Sequence, residues 1–173
     1  VENQLGFRTV YEYDEMDNLI RAEDAEGRVW TYDYDAVYNL VAEHGPEDTH
    51  TLFAYNAMRY MTDVTRCNSA LVGGTCAAQQ VTHYEYDALD RVVTAIQNYK
   101  SGVSPAADTN VTTRFAYDLV GNLLKRIDAN DNPTLYEYNA LDLLVLVEDA
   151  DMQVTEYVYD PNGNLTHIRN PRG

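Results

Sequence analysis

The chain alternates apolar and polar residues in short stretches that recur along its whole length. In each stretch a threonine or tryptophan, an aromatic residue and a tyrosine occupy every second position, as in Thr155, Tyr157 and Tyr159, and the residues between them are mostly polar. Residues at i, i+2 and i+4 lie on one face of a strand. The alternation therefore predicts antiparallel strands with one face toward solvent.

Seven copies of one motif carry this alternation, each an aromatic residue, any residue, a tyrosine and then Asp or Asn. Their starts lie 21, 21, 31, 31, 21 and 21 residues apart. A fixed period of about 20 residues indicates a repeat protein in which each copy is one supersecondary unit stacked on its neighbours. The three defining positions of the copies are Tyr11, Tyr13 and Asp14; Tyr32, Tyr34 and Asp35; Phe53, Tyr55 and Asn56; Tyr84, Tyr86 and Asp87; Phe115, Tyr117 and Asp118; Tyr136, Tyr138 and Asn139; Tyr157, Tyr159 and Asp160.

The residues after each motif predict a turn and a return strand. The Asp or Asn that ends the motif can hydrogen-bond its own backbone two residues on. Three residues later, five of the seven copies carry Asp or Gly, which tolerate positive φ. An apolar residue then opens the return strand at Leu19, Leu40, Met61, Val92, Leu123, Leu144 and Leu165.

These elements predict an all-β fold of tandem antiparallel β-hairpins, about seven repeats of 21–31 residues. Seven hairpins supply about fourteen strands, and open twisted sheets rarely exceed ~10 strands without curling. We therefore expect a curved or spiralling sheet. We also expect the aromatic columns to stack along it as ladders of cross-strand pairs.

Composition narrows the classes of partner. The formal net charge of −16 argues against nucleic acid and against anionic membrane surfaces. No apolar run approaches the ~18 residues of a membrane-inserted helix, and the chain opens without the features of a signal peptide. Both ends fall within the repeat pattern, so we expect residues 1–173 to be a single repeat array cut from a longer protein. Its edge strands would then favour self-association.

Two of the repeats are longer by ten residues each, and the first insertion contains Cys67 and Cys76. The alternatives are a disulfide that closes the loop or two free thiols. We predict the disulfide, because the pair brackets the insertion and no further metal ligands stand nearby; it would imply an exported protein. The second insertion, around residues 100–108, has the composition of an exposed loop.

The sequence offers no catalytic, cofactor or metal site. Asp128, Asn130 and Asn132 resemble the start of a calcium loop, but Pro133 and Asn139 stand where that loop needs Gly and Glu. The four histidines occupy unrelated repeat positions, and no nucleophile or phosphate-loop motif appears. These observations predict a non-enzymatic protein without cofactors.

The string Tyr157-Val-Tyr-Asp-Pro-Asn-Gly-Asn-Leu165 resembles the YD repeat, also called the Rhs repeat, and the resemblance covers essentially the whole chain. In that family, arrays of β-hairpins wind into a hollow shell, and bacterial Rhs toxins and toxin-complex components enclose a toxic segment in it. The resemblance implies a structural shell segment of a secreted or cell-surface protein, with the remainder of its parent chain as partner. The alternative is an adhesion module that binds carbohydrate or protein, since the chain is rich in tyrosine and has two longer loops.

Overall fold

A computed structural model of the chain describes residues 8–67, 69, 71, 74, 76 and 79–170. Every regular element in these residues is a strand, so none of them has the length and hydropathy of a membrane-spanning helix. The fourteen strands are β1 (Val10–Tyr13), β2 (Leu19–Glu23), β3 (Val29–Tyr34), β4 (Leu40–Gly45), β5 (Thr49–Tyr55), β6 (Met61–Cys67), β7 (Gln79–Tyr86), β8 (Val92–Gln97), β9 (Val111–Tyr117), β10 (Leu123–Ile127), β11 (Pro133–Tyr138), β12 (Leu144–Glu148), β13 (Val154–Tyr159) and β14 (Leu165–Arg169).

The chain divides into two compact units, with a boundary inside β7. Unit 1 contains Val1–Tyr84 and Gln97–Gly102, and unit 2 contains Glu85–Ile96 and Val103–Gly173. In unit 1, strands β1 to β7 pair antiparallel in chain order. In unit 2, strands β9 to β14 do the same. Each unit is therefore a meander of hairpins.

The return strands begin where the sequence pattern predicts. All seven apolar residues interpreted as strand openers are the first residues of their strands, from Leu19 in β2 to Leu165 in β14. In six of the seven hairpins the second tyrosine of the motif stands opposite this residue, as Tyr34 stands opposite Leu40. These six hairpins thus close on a tyrosine paired with an apolar residue, a cross-strand contact that stabilises the turn end.

The same β-bulge recurs beside the turns. In the first hairpin Glu12 lies opposite Arg21 and Tyr13 lies opposite Leu19, which leaves Ile20 as the extra residue. Five further hairpins show the shift at the equivalent place. A bulge bends its strand and increases its twist, so the sheet of each unit is curved. The predicted fold class, all-β with tandem antiparallel hairpins in a curved sheet, is confirmed.

The interior of this single-layer sheet is thin. Among the described residues, the buried hydrophobic side chains are Ala42, Val64 and Cys67. Twelve of the fourteen motif aromatics are half-buried, and Tyr11 and Tyr13 are 46% and 57% exposed. Neither unit has a packed core of its own like that of a two-layer domain.

The aromatic columns do not pair with each other across strands, contrary to the expectation from sequence. Tyr32 lies opposite Glu43, which in turn lies opposite Thr51, the residue two positions before Phe53. The same order recurs where Tyr136 faces Val147 and Val147 faces Thr155. The register therefore displaces each repeat by two residues from the last, so an aromatic of one repeat aligns with the threonine column of the next.

Candidate functional site

The carboxylate that ends each motif is built into its own turn. Asp160 Oδ1 accepts hydrogen bonds from the backbone N–H groups of Asn162 and Asn164, both at 2.9 Å, and Oδ2 accepts one from Asn164 Nδ2 at 2.9 Å. The backbone N–H of Asp160 donates to the Asn164 carbonyl at 2.9 Å. This is an Asx turn, in which a side chain takes the place of a backbone acceptor. Its carboxylate oxygens are occupied and are not free for acid–base chemistry.

Every repeat uses this turn. The Asp or Asn side chain accepts from the N–H groups two and four residues on at Asp14, Asp35, Asn56, Asp87, Asp118, Asn139 and Asp160. The third residue after it has positive φ in all seven copies, including Tyr38 at 66° and Arg59 at 70°. Sequence reasoning found this conformation in five copies. In the other two, the turn's hydrogen bonds hold a bulky residue where Gly or Asp would be relaxed.

The connectors between repeats contain the same turn, which sequence reasoning missed. Asp24, Asp128 and Asp149 each accept through Oδ1 from the N–H groups two and four residues on. The signal was present as an Asp that opens each connector. In the segment that resembles the start of a calcium loop, the hydrogen bonds from Asn130 and Asn132 therefore occupy Asp128 Oδ1. The described part of the chain contains no group of three or more His, Cys, Asp or Glu side chains that could hold a metal ion.

The turns lower the pKa of seven aspartates, which are Asp14, Asp24, Asp35, Asp87, Asp118, Asp128 and Asp160. In Asp160 the side-chain hydrogen bond from Asn164 lowers the pKa, and backbone hydrogen bonds from Asn164 and Asn162 add to it, against a smaller effect of burial. Asp87 has its pKa lowered first by the side chain of Arg91. Hydrogen bonds donated to a carboxylate favour its charged form, so these turns are tighter when their aspartates are ionised.

In four copies of the motif the second tyrosine is hydrogen-bonded to the repeat before it. The hydroxyl of Tyr34 donates to the Leu19 carbonyl at 3.0 Å, and that of Tyr55 donates to the Leu40 carbonyl at 2.8 Å. In unit 2, Tyr117 donates to Val92 at 2.9 Å and Tyr159 to Leu144 at 2.8 Å. The acceptor is in every case the first residue of the preceding return strand. The tyrosine column is therefore a series of hydrogen-bonded links between repeats.

Neighbouring turns are also linked directly by polar side chains. Arg59 donates from Nε to Asn39 Oδ1 at 3.0 Å and from its guanidinium to the Val37 carbonyl at 2.8 Å. In unit 2, Asn122 Nδ2 donates to Asp142 Oδ1 at 2.9 Å. These contacts explain what Arg59 contributes at a position that strains its backbone.

The turns present apolar side chains to solvent. The second residue after the motif Asp or Asn is apolar in six repeats, where polar residues are usual in turns. These side chains are Met16, Val37, Met58, Leu89, Val120 and Leu141, with exposures from 52% to 75%. Exposed apolar groups that recur in the turns of each unit are typical of a surface that contacts other protein.

The structure brings the two predicted cysteines together. A disulfide joins Cys67 to Cys76, with their Cα atoms 5.9 Å apart, and Cys67 is 1% exposed. The pairing of these cysteines in the protein in solution stays a prediction. Two of the four histidines, although they occupy unrelated positions of the repeat, meet beside them: His44 Nδ1 lies 2.8 Å from His50 Nδ1. The tight connector between β4 and β5 causes this, because it places the two residues directly opposite each other.

The second insertion is an exposed loop anchored at its end. Residues 100–108 are exposed, as predicted. Asn110 is 7% exposed and donates from Nδ2 to the Val103 carbonyl at 2.6 Å. In unit 1, the ring of Tyr99 stacks on His83 with centroids 4.5 Å apart. No described side chain of the loop forms a pocket with a catalytic arrangement.

Comparison with protein families finds the RHS Repeat family, whose model matches residues 13–50 and 138–173. The resemblance inferred from the sequence is thereby confirmed. A comparison with curated proteins finds no match.

Among solved structures, the chain is similar to toxin-complex proteins. It is 20% identical to a TcdB2-TccC3-TEV chain (TM-score 0.35), covering 95% of this chain and 11% of that one. It is 17% identical to TcdB2-TccC3 without its hypervariable C-terminal region (TM-score 0.38), covering 95% of this chain and 11% of that one. It is 19% identical to a chain of a Photorhabdus luminescens Tc holotoxin pore with a mutated TccC3 (TM-score 0.36), covering 98% of this chain and 11% of that one. The chain thus spans about a ninth of the length of these solved chains, and at these scores the likeness is too distant to transfer an activity.

Proposed function

Because this chain carries RHS repeats, we propose that it is a non-enzymatic wall segment of a shell that encloses or presents another part of its own parent protein. The proposal rests on one observation above all. Each unit is a single-layer sheet whose buried hydrophobic side chains, among the described residues, are confined to Ala42, Val64 and Cys67. A sheet of this kind must cover its half-buried faces with other protein to reach ordinary stability.

The chemistry of the repeat supports a structural role. The oxygens of the turn carboxylates accept hydrogen bonds within the turns, as in Asp160, and tyrosine hydroxyls such as that of Tyr55 are hydrogen-bonded to carbonyls of the preceding repeat. Groups used in this way hold the backbone and are not available to a substrate. The net charge of −16 argues against nucleic acid and anionic lipid as partners.

The exposed apolar turn residues support contact with the remainder of the parent chain. Six side chains in this position, from Met16 to Leu141, are more than half exposed. Their burial by another segment would recover the hydrophobic free energy that solvent exposure forfeits. The partner in this proposal is the parent chain itself, and the location is outside the cell or on its surface, as a disulfide between Cys67 and Cys76 favours.

Electron cryomicroscopy of the parent protein tests the proposal. We expect this array in the wall of a closed shell with density for another segment inside it. Limited proteolysis gives a second readout, since an enclosed segment should be cut only after the shell opens. An open, extended string of repeats with a fully protease-accessible parent chain would refute the proposal.

A binding module is the second candidate, and the loop at residues 100–108 motivates it because all of its residues are exposed. Binding of a glycan or protein that is lost on deleting this loop, with the sheet intact by circular dichroism, would support it.

Self-association is a related proposal: all five residues of β14 are exposed, and an uncovered strand can pair with a second copy. Sedimentation that finds a monomer at high concentration would contradict it.

A further inference from the structure

A row of directly opposed residues crosses one face of unit 1. Thr31 lies opposite His44, His44 opposite His50, and His50 opposite Cys67. Directly opposed residues of antiparallel strands share a face, with Cβ atoms about 4.5–5.5 Å apart. The row therefore sets two imidazole rings in line with one sulfur of the Cys67–Cys76 disulfide.

The hydrogen bonds of this row determine where its protons lie. His44 Nε2 is 3.0 Å from Asp33 Oδ2, and because a carboxylate oxygen accepts, the nitrogen donates. The two Nδ1 atoms of His44 and His50 are 2.8 Å apart, so only one of them carries a proton. With both rings neutral, His44 Nδ1 accepts and His50 Nδ1 donates. His50 Nε2 is then a proton acceptor with a free lone pair.

That nitrogen is buried and lacks a hydrogen-bond partner among the described residues. The charged groups on the face of this row are Arg21 from β2, which lies opposite Thr31, and Asp33 from β3. Four residues further along β6 the same face carries Asp63, which is paired with His83 from β7. The uncommitted acceptor thus belongs to the residue directly opposite a buried cysteine, and a base next to a cysteine promotes formation of its thiolate.

We propose that Cys67 and Cys76 form a thiol–disulfide exchange site in which His50 exchanges a proton with the Cys67 sulfur. The co-reactant is a low-molecular-weight thiol or its disulfide. It reacts at Cys76, which is half-buried, because Cys67 is 1% exposed. Asp33 and His44 are positioning residues that hold His50 in the tautomer with a free Nε2.

Opening and closing are the two directions of one exchange. In opening, an external thiolate attacks Cys76 Sγ, the S–S bond breaks with its electron pair on Cys67 Sγ, and protonated His50 gives that sulfur a proton. In closing, Cys67 Sγ gives its proton to His50 Nε2, attacks Cys76 Sγ and expels the external thiolate. The external thiol is oxidised when the site opens fully and is regenerated when it closes.

The rate of closure tests the proposal. The reduced chain is mixed with oxidised glutathione, quenched with acid, and its mixed and internal disulfides are counted by mass spectrometry across pH 5 to 8. We expect His50→Gln to slow closure by at least about tenfold near neutral pH, as loss of a general base does. The variant should also lose the dependence of the closure rate on pH that a histidine base confers.

His83→Gln is the matched control. His83 lies in the same unit, 2.8 Å from Asp63 through Nδ1, so it repeats the histidine–carboxylate contact at four residues' distance from Cys67 along β6. We expect its closure rate to stay within about twofold of the parent chain, since it is about 13 Å away at ~3.3 Å per residue. An equal slowing in both variants would refute a specific role for His50.

A folded His50→Gln chain that closes at the parent rate with the parent pH dependence overturns the proposal. Far-ultraviolet circular dichroism establishes whether the variant folds. If it does not, His44→Gln decides, because that substitution leaves His50 in place and removes the contact that sets its tautomer. The closure rate should then rise at a different pH, and an unchanged pH profile would equally overturn the proposal.

Discussion

Replacing Tyr34 by Phe removes one link between repeats and keeps the ring. The hydroxyl donates to the Leu19 carbonyl at 3.0 Å, and both residues are half-buried. A hydrogen bond of this kind contributes about 0.5–1.5 kcal/mol, and the carbonyl left behind loses its partner. We expect the free energy of unfolding to fall by about 1 kcal/mol. In a chain of this length that corresponds to a decrease of about 2–4 °C in Tm.

Urea unfolding followed by circular dichroism measures this change, and Tyr32→Phe is its control. Tyr32 lies two residues earlier on the same face of β3 and is also half-buried, but the structure shows no hydrogen bond from its hydroxyl to a described residue. Its substitution should leave stability within about 0.3 kcal/mol. The two variants thus differ in the hydrogen bond and not in ring burial. Equal effects of the two substitutions would refute the idea that the hydroxyl links repeats.

Three further predictions concern the turns and the disulfide. The pKa of Asp160 is below its usual 3.8 in the folded chain, so its contribution to stability is complete above about pH 5 and is lost as pH falls through 3.8 toward the lower folded value. Asp160→Asn should therefore reduce the decrease in unfolding free energy between pH 6 and pH 2, and an unchanged decrease would contradict this. Gly163→Ala places a side chain at φ 82° with only Leu143 in ordinary contact at 3.6 Å, so calorimetry should show a loss of about 1 kcal/mol from backbone strain alone, and no loss would mean that the turn relaxes. Thiol titration of the denatured, unreduced chain should find no free thiol, and two reactive thiols would disprove the disulfide. Reduction should lower the unfolding free energy by about 3 kcal/mol, because the two cysteines are nine residues apart in sequence.

The strand plan was readable from the sequence because it depends on local rules. Strand alternation, the Asx residue and the apolar opener each act within one hairpin, and the strands indeed begin at residues such as Leu19 and Leu144. The prediction of positive φ was less complete, since Tyr38 and Arg59 are residue types that rarely adopt it. There the turn's hydrogen bonds override residue preference, which a propensity argument cannot weigh.

Features that depend on register between repeats were not readable in the same way. A bulge residue such as Ile20 shifts one strand against the next, and no residue type marks it. The shift determines which side chains meet across the sheet, so the prediction that aromatic residues pair across neighbouring strands was wrong. The pairing of His44 with His50 depends likewise on a short connector and not on the 21-residue period. Register errors of one residue move a side chain to the other face.

The links between repeats explain how a sheet with so few buried side chains holds together. Each repeat contacts its predecessor through a ladder of backbone hydrogen bonds, through a tyrosine hydroxyl as in Tyr159, and in places through side chains such as Arg59. All of these bonds join nearest neighbours, so the stability of each unit is a sum of local and interface contributions. A strained residue such as Tyr38 is tolerated because its cost stays within one interface. By the same reasoning, loss of one tyrosine hydroxyl should weaken one interface and leave the hydrogen bonds of the other repeats in place.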